Sequence, residues 1–157
     1  MKHDDQVALG KTLLHYLDEQ TTAMADSVYA NDVSDYICPK QAAAEQEKFF
    51  RKGPVNIGLS CLLPKPGDFM THDETGVPIL LVRRDDGSLG AFLNVCRHRG
   101  SRVAEGCGNA KLFTCPYHAW TYGTDGKLRG RPDERSFAGF DKETNGLRAL
   151  PVKENTG

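Results

Sequence analysis

The hydrophobic positions change period part way along the chain. From residue 4 to residue 52 the pattern is helical. Leu9, Leu13, Tyr16 and Leu17 recur at the spacing of one helix face, and Asp4 or Asp5 is placed to cap that helix. Gly10 weakens it by about 1 kcal/mol relative to Ala. Thr21-Thr22 interrupt the run, and Asn31-Asp32 and Ser34-Asp35 read as turns. A further helix is predicted from Pro39 to Lys52. Pro39 suits the first helical position, Ala42, Ala43, Ala44 and Glu45 favour helix, and Gly53-Pro54 stops it.

Beyond residue 53 the period drops to two. Val55, Ile57, Leu59, Cys61 and Leu63 alternate with Asn56, Gly58, Ser60 and Leu62, which predicts a strand with the Cys61 thiol on its buried face. Pro64-Lys65-Pro66-Gly67 is a turn. Val77 to Val82 is a nearly continuous apolar run, the mark of a well-buried strand. Asp86-Gly87 signals a hairpin, with Leu89, Ala91, Leu93 and Val95 on the return strand. Short strands follow at Lys111–Thr114, Ala119–Tyr122 and Lys127–Arg129, the last two joined by an Asp125-Gly126 turn. The fold class is therefore mainly β: a helical N-terminal arm, residues 1–53, followed by a small antiparallel β domain, residues 54–157. Pro151 to Gly157 carry neither a cap nor a charged tail, which reads as a cut chain rather than a finished one.

Composition narrows the class. The 157 residues are 39% hydrophobic and 26% charged, with a mean hydropathy of -0.49, the values of a globular domain able to build its own core. Twenty Lys+Arg against 21 Asp+Glu leave a net charge of -1, which argues against nucleic acid as a partner. No run approaches the roughly 18 apolar residues of a membrane span, and Met1-Lys2-His3-Asp4-Asp5 lacks the apolar region of a signal peptide. A cytoplasmic protein with reduced thiols is expected, and five Cys, an odd number, fit poorly with a secreted disulfide framework.

Four of the ten Cys and His residues form a pattern. Cys96-Arg97-His98 and Cys115-Pro116-Tyr117-His118 are two mixed pairs, with sixteen residues between His98 and Cys115. Zinc accepts two Cys and two His, but usually takes them like with like. Pairs that each mix the types suit a two-iron cluster in which one iron takes both Cys and the other both His, the Rieske ligation of [2Fe–2S]. Zinc stays as the alternative, and four unrelated residues as the bland one. The other Cys and His read as structural or exposed: Cys38 in the arm, Cys107 as a loop thiol, and His3, His15 and His72 as isolated residues. Trp120 and Tyr122 follow His118 at strand spacing and read as core packing that screens the site from water. Arg97, Arg99 and Arg102 make the first loop basic, either as a solvated face or as a docking surface for an acidic redox partner or a neighbouring subunit.

Asn94-Val95-Cys96-Arg97-His98-Arg99-Gly100 and Phe113-Thr114-Cys115-Pro116-Tyr117-His118-Ala119-Trp120 resemble the Rieske domain of ring-hydroxylating oxygenase α subunits. Pro66-Gly67-Asp68, Pro78 to Arg83 and Asp86-Gly87 resemble the approach to its first ligand loop, so the likeness covers most of residues 36–150. Ala119 departs from it, standing where the family usually has Gly. The resemblance implies that Cys96, His98, Cys115 and His118 hold a [2Fe–2S] cluster. It implies a ferredoxin or reductase as electron donor, and a mononuclear Fe(II) site in a catalytic domain as acceptor, in a subunit that forms trimers. The family holds that iron with an H-x4-H pair; no two His here are five apart, so this iron is expected only in a catalytic domain absent from the chain. A stand-alone Rieske-type ferredoxin is the alternative function, and a zinc-stabilised interaction domain a third. High-potential respiratory Rieske proteins add a disulfide between the ligand loops and a hydroxyl soon after the second His. Ser101 and Tyr117 occupy the disulfide positions here and Ala119 follows His118, so the potential is expected near the low end of the Rieske range.

Overall fold

The computed structural model describes residues 1–155; of the expected β domain, Thr156 and Gly157 lie outside the described residues. Those residues divide into two compact units, Met1–Ala42 and one beginning at Ala43.

In the first unit α1 spans His3–Asp18, with Asp4 and Asp5 in its first turn rather than at the cap. There the carboxylates still oppose the positive end of the helix dipole. No residue of α1 is buried. The Ser34-Asp35 turn of the sequence reading is instead the start of a short helix, α2 (Ser34–Ile37), because the Asp32 carboxylate accepts the Ser34 N–H at 2.7 Å and opens a helical turn. Pro39 opens α3 (Pro39–Glu45) as expected, and a π-helical turn, Gln46–Phe50, carries it on.

The second unit is two antiparallel sheets. The strands are β1 (Asp68–His72), β2 (Ile79–Arg83), β3 (Leu89–Leu93), β4 (Cys107–Asn109), β5 (Leu112–Thr114), β6 (Thr121–Gly123) and β7 (Leu128–Gly130). They form one sheet in the order β3-β2-β1-β4 and another in the order β5-β6-β7. The continuous apolar run does become the well-buried strand. Four of the five residues of β2 are buried, because the strand has a core on each face. Leu80 and Val82 join Phe92, Val103, Phe113, Trp120, Tyr122, Leu128 and Leu147, and Leu81 joins Leu63 and Ala91 on the other side. Both Asp-Gly hairpin turns are present, with Gly87 at φ +81° and Gly126 at φ +76°. Gly126 is doubly constrained, since a Cβ there would lie 2.3 Å from the Phe92 ring.

The strand expected at Val55–Leu63 does not form. Val55 and Ile57 are half-buried at the predicted alternation, and Ile57 packs on the smaller core, but among the described residues no strand pairs with this segment. Ser60–Leu62 closes into a 3-10 turn, which leaves Cys61 exposed rather than buried. Alternation reports which side chains turn inward, not whether a ladder partner is present. Conversely β1 and β4 carry no clear pattern. All five β1 residues are half-buried, with Phe69 packed on the main core and Met70 on the smaller one.

The segment after residue 146 is bound to the sheet. Leu93 N–H donates to the Arg148 carbonyl at 2.8 Å, and Leu150 N–H to the Ala91 carbonyl at 2.9 Å. Arg83, 8% exposed, grips Glu154 through two 2.7 Å hydrogen bonds and donates from Nε to the Leu63 carbonyl at 2.8 Å. The Arg83 hydrogen bonds, with a further one from Ser60, hold the Glu154 carboxyl down to about 2. An acid whose folded pKa is depressed stabilises the fold above its unfolded value, and that contribution is lost as the pH falls toward the folded one. Denaturant unfolding of Glu154→Gln is therefore expected to show lower stability than the parent at neutral pH, with the gap closing between about pH 4.5 and pH 2. A gap that does not change with pH would mean that the ion pair is not what secures this segment.

Candidate metal centre

Two loops are wired alike. Between β3 and β4, Cys96 N–H donates to the Ser101 carbonyl at 2.7 Å, and Gly100 N–H donates back to the Cys96 carbonyl at 3.0 Å. Between β5 and β6, Cys115 N–H donates to the Trp120 carbonyl at 2.8 Å, and Ala119 N–H to the Cys115 carbonyl at 3.0 Å. In each loop the residue four after the Cys turns the chain through the left-handed region, Gly100 at φ +78° and Ala119 at φ +54°. Glycine enters that region freely, whereas a Cβ makes it costly. The Ala119 departure noted in the sequence is thus a point of backbone strain, not only of packing. Asn94, fully buried, braces the first loop: its Oδ1 accepts the Val103 and Ala104 N–H groups at 3.0 and 3.2 Å, and its Nδ2 donates to the Ala104 carbonyl at 2.8 Å.

The loops bring the four predicted residues together as two pairs. Cys96 and Cys115 are each 3% exposed and lie in one core cluster, close enough that each thiol shifts the titration of the other. His98 and His118 are half-buried, with ring centroids 4.6 Å apart. Among the described residues no three His, Cys, Asp or Glu converge on one point as ligands of a single ion. A two-iron cluster asks for two pairs instead, one on each iron. The donor set fits such a group in another respect. His98 Nδ1 is enclosed and has no hydrogen-bond partner, an arrangement that a bound metal would satisfy.

The electrostatics favour ligand forms. Burial, then repulsion from His118 and Arg99, lowers the His98 pKa and keeps the imidazole neutral. Burial raises the Cys96 thiol. The Cys115 thiol is also buried, but N–H groups of Tyr117 and His118 and the side chains of Cys96 and Ser101 outweigh that, so its pKa is lowered and it ionises first. Two hydroxyl groups missed by the sequence reading thus meet the sulfurs. The Ser101 side chain lowers the Cys115 pKa, and Tyr122 Oη lies 3.3 Å from Cys96 Sγ. Arg97 N–H donates to Tyr122 Oη at 3.0 Å, which leaves the phenol proton free for the sulfur. Burial holds the Tyr122 phenol well above its ordinary pKa, so the proton stays on. The available signal was the inward register of Tyr122, since a fully buried phenol needs a partner.

The remaining candidates are not members of this pairing. Trp120, 1% exposed, stacks on the His98 ring at 5.1 Å with 6° between planes, closer to the site than core packing alone required. Tyr117 is 59% exposed. Arg97, Arg99 and Arg102 are exposed, and Arg102 is paired with Asp73. His3 and His15 are exposed, and His72 Nδ1 pairs with Glu74 at 2.8 Å. Cys107 is exposed on β4 and Cys38 half-buried in the first unit.

The fold and site define a class. The model of the family described as the Rieske [2Fe-2S] domain matches residues 54–149, and the chain belongs to that family. Its cofactor is accordingly a [2Fe–2S] cluster. The chain is 38% identical over 144 residues to the α subunit of biphenyl 2,3-dioxygenase from Rhodococcus jostii, covering 90% of this chain and 30% of that one. It is 40% identical over 114 residues to the oxygenase subunit of carnitine monooxygenase from Acinetobacter baumannii, covering 72% of this chain and 31% of that one. A crystal structure of a quaternary ammonium Rieske monooxygenase superposes with a TM-score of 0.72 at 34% identity, over 82% of this chain and 36% of that one. The chain thus corresponds to the Rieske part of oxygenase subunits and spans about a third of the length of these relatives. Among the described residues no helix is long and apolar enough to cross a membrane.

The strain at Ala119 is open to direct measurement. Ala119→Gly is expected to stabilise the protein by about 0.5–1 kcal/mol, the left-handed penalty less the extra entropy of an unfolded glycine. Urea unfolding of the metal-free protein measures it; a destabilised variant would show that Ala119 is not strained.

Proposed function

We propose that Cys96 and Cys115 ligate one iron of the cluster and His98 and His118 the other, and that the chain serves as the electron-transfer part of an oxygenase α subunit. The observation that carries this reading is the pair of identically wired loops that set two thiols together in the core and two imidazoles together beside them. When bound, the cluster takes up and releases one electron at a time. The chain's residues hold it, keep its sulfurs out of water and present the half-buried His98 and His118 toward the surface, where electrons enter and leave. On this reading residues 1–53 are an arm on the domain of residues 54–157. The electron donor is a ferredoxin or reductase, with Arg97 and Arg99 as exposed cationic groups beside His98. The acceptor is a mononuclear Fe(II) site in a catalytic domain, reached within a trimer, in the cytoplasm. The substrate class follows the relatives, either an aromatic ring or a quaternary ammonium compound. A stand-alone carrier would use the same cluster without any such acceptor.

Anaerobic reconstitution is expected to yield a brown protein with two irons and two acid-labile sulfides, and, when reduced, the low average g value of nitrogen ligation. Cys96→Ser and Cys115→Ser are expected to lose the cluster, while Ala at Cys38, Cys61 or Cys107 leaves it in place. A colourless protein with one zinc, or iron lost from any of those three Ala variants, contradicts the ligand assignment.

The Tyr122 hydroxyl gives a separate test. A donor on Cys96 Sγ withdraws charge from the sulfur and favours the reduced state, so Tyr122→Phe is expected to lower the reduction potential. The same change leaves the Arg97 N–H without its acceptor, a loss of about 1–3 kcal/mol in stability. Film voltammetry and urea unfolding read the two effects; an unmoved potential would detach Tyr122 from the cluster.

A further inference from the structure

Beside the proposed cluster lies a buried cation that the site as described does not use. Arg131, 9% exposed, follows β7. Its Cζ lies 5.8 Å from the ring of Trp120, 5.0 Å from that of Phe137 and 5.7 Å from that of Phe140. Trp120 stacks on His98 at 5.1 Å, and the Phe137 ring meets His98 edge-on at 5.9 Å. Two aromatic side chains therefore bridge the guanidinium to one of the imidazoles.

The charge of Arg131 is incompletely neutralised. Nη2 donates to the Phe140 carbonyl at 2.8 Å and to that of Phe137 at 3.4 Å, which ties the segment after β7 over Trp120. Nη1 is enclosed with no hydrogen-bond partner among the described residues, and Nε faces Glu134 Oε2 at 3.4 Å in an ion pair without hydrogen-bond geometry. The counter-ion, Glu134 at 3.4 Å, is half exposed and shared with Lys142. The carbonyl hydrogen bonds give Arg131 a structural role, but they leave its charge only partly compensated in an aromatic setting beside His98.

We propose that Arg131 is a positioning residue that sets the potential of the cluster. Its incompletely neutralised charge, held against Trp120 and Phe137, stabilises the electron that reduction places beside His98. The inference rests on the cluster assignment above. A unit charge about 10 Å away at an effective dielectric constant of about 20 changes a one-electron equilibrium by about tenfold.

The test is the midpoint potential of the full chain, loaded with cluster, in the parent, Arg131→Gln, Arg131→Lys and Glu134→Gln. Visible circular dichroism and electron paramagnetic resonance show in each case whether the cluster is intact. Arg131→Gln is expected to shift the electron equilibrium against reduction by about tenfold, 59 mV for one electron. Arg131→Lys, which keeps the charge, is expected to retain most of the parent value. Glu134→Gln, a surface change, is expected to move the potential the other way, because it removes the counter-ion. An intact cluster whose midpoint is unmoved in Arg131→Gln, or a Glu134→Gln potential that is unchanged or lowered, overturns the inference alone. Should Arg131→Gln fail to hold the cluster, the sign of the Glu134→Gln shift decides. A parent protein that holds no two-iron cluster overturns the ligand assignment, and this inference with it.

Discussion

Two cysteine sulfurs in the middle of an apolar core are the constraint on which the second unit is built. A buried thiol packs as a small hydrophobe, but a buried thiolate needs compensation. The structure supplies it from three directions: backbone N–H groups at Cys115, the Ser101 hydroxyl and the Tyr122 phenol. The two loops and β6 bring these donors to the sulfurs, and the two sheets bring the loops to each other. The core around Cys96 and Cys115, from Leu80 to Leu147, is therefore also the wall that keeps water from the site.

The shared wiring of the loops explains why mixed pairs occur in the sequence at all. A loop closed by a hydrogen bond from a Cys N–H to the carbonyl five residues on aims the Cys inward. The His two or three positions later stands nearer the rim. Repeating the loop on the second sheet produces an inner pair of thiols and an outer pair of imidazoles. A ligand set in which each loop carried only one residue type would need two different loop geometries. The left-handed turns at Gly100 and Ala119 belong to this wiring, and the price of using Ala at one of them is local strain.

Around this inner arrangement the buried polar residues divide by how fully they are paired. Asn94 has both side-chain atoms satisfied and holds one loop rigid. Arg83 is equally buried but fully engaged, with Glu154 and two carbonyls as partners. Arg131 is buried to a similar extent, yet its hydrogen bonding is incomplete and its neighbours are aromatic rings. The first two side chains complete the fold; the third leaves a charge standing near the site where an electron is to be held.

Much of this was legible in the chain itself. The Cys-His pairs, the Asp-Gly hairpins, the buried β2 strand and the Pro39 helix start are written in neighbouring residues, because each depends on local backbone geometry or on a short-range alternation. What local pattern could not carry was pairing. Val55–Leu63 alternates like a strand but has no partner, and β1 has partners on both edges with no alternation to announce them. The surroundings of the four proposed ligands were hidden for the same reason. Ser101, Tyr122, Trp120 and Arg131 reach the site from separate loops and strands, and only the packing of two sheets decides which hydroxyl meets which sulfur and which cation lies behind which imidazole. The sequence by itself carried the mixed Cys-His pairs that mark the class of metal centre; the tertiary structure decided the field those side chains sit in, because electrostatic interactions depend on distance through space and not on separation along the chain.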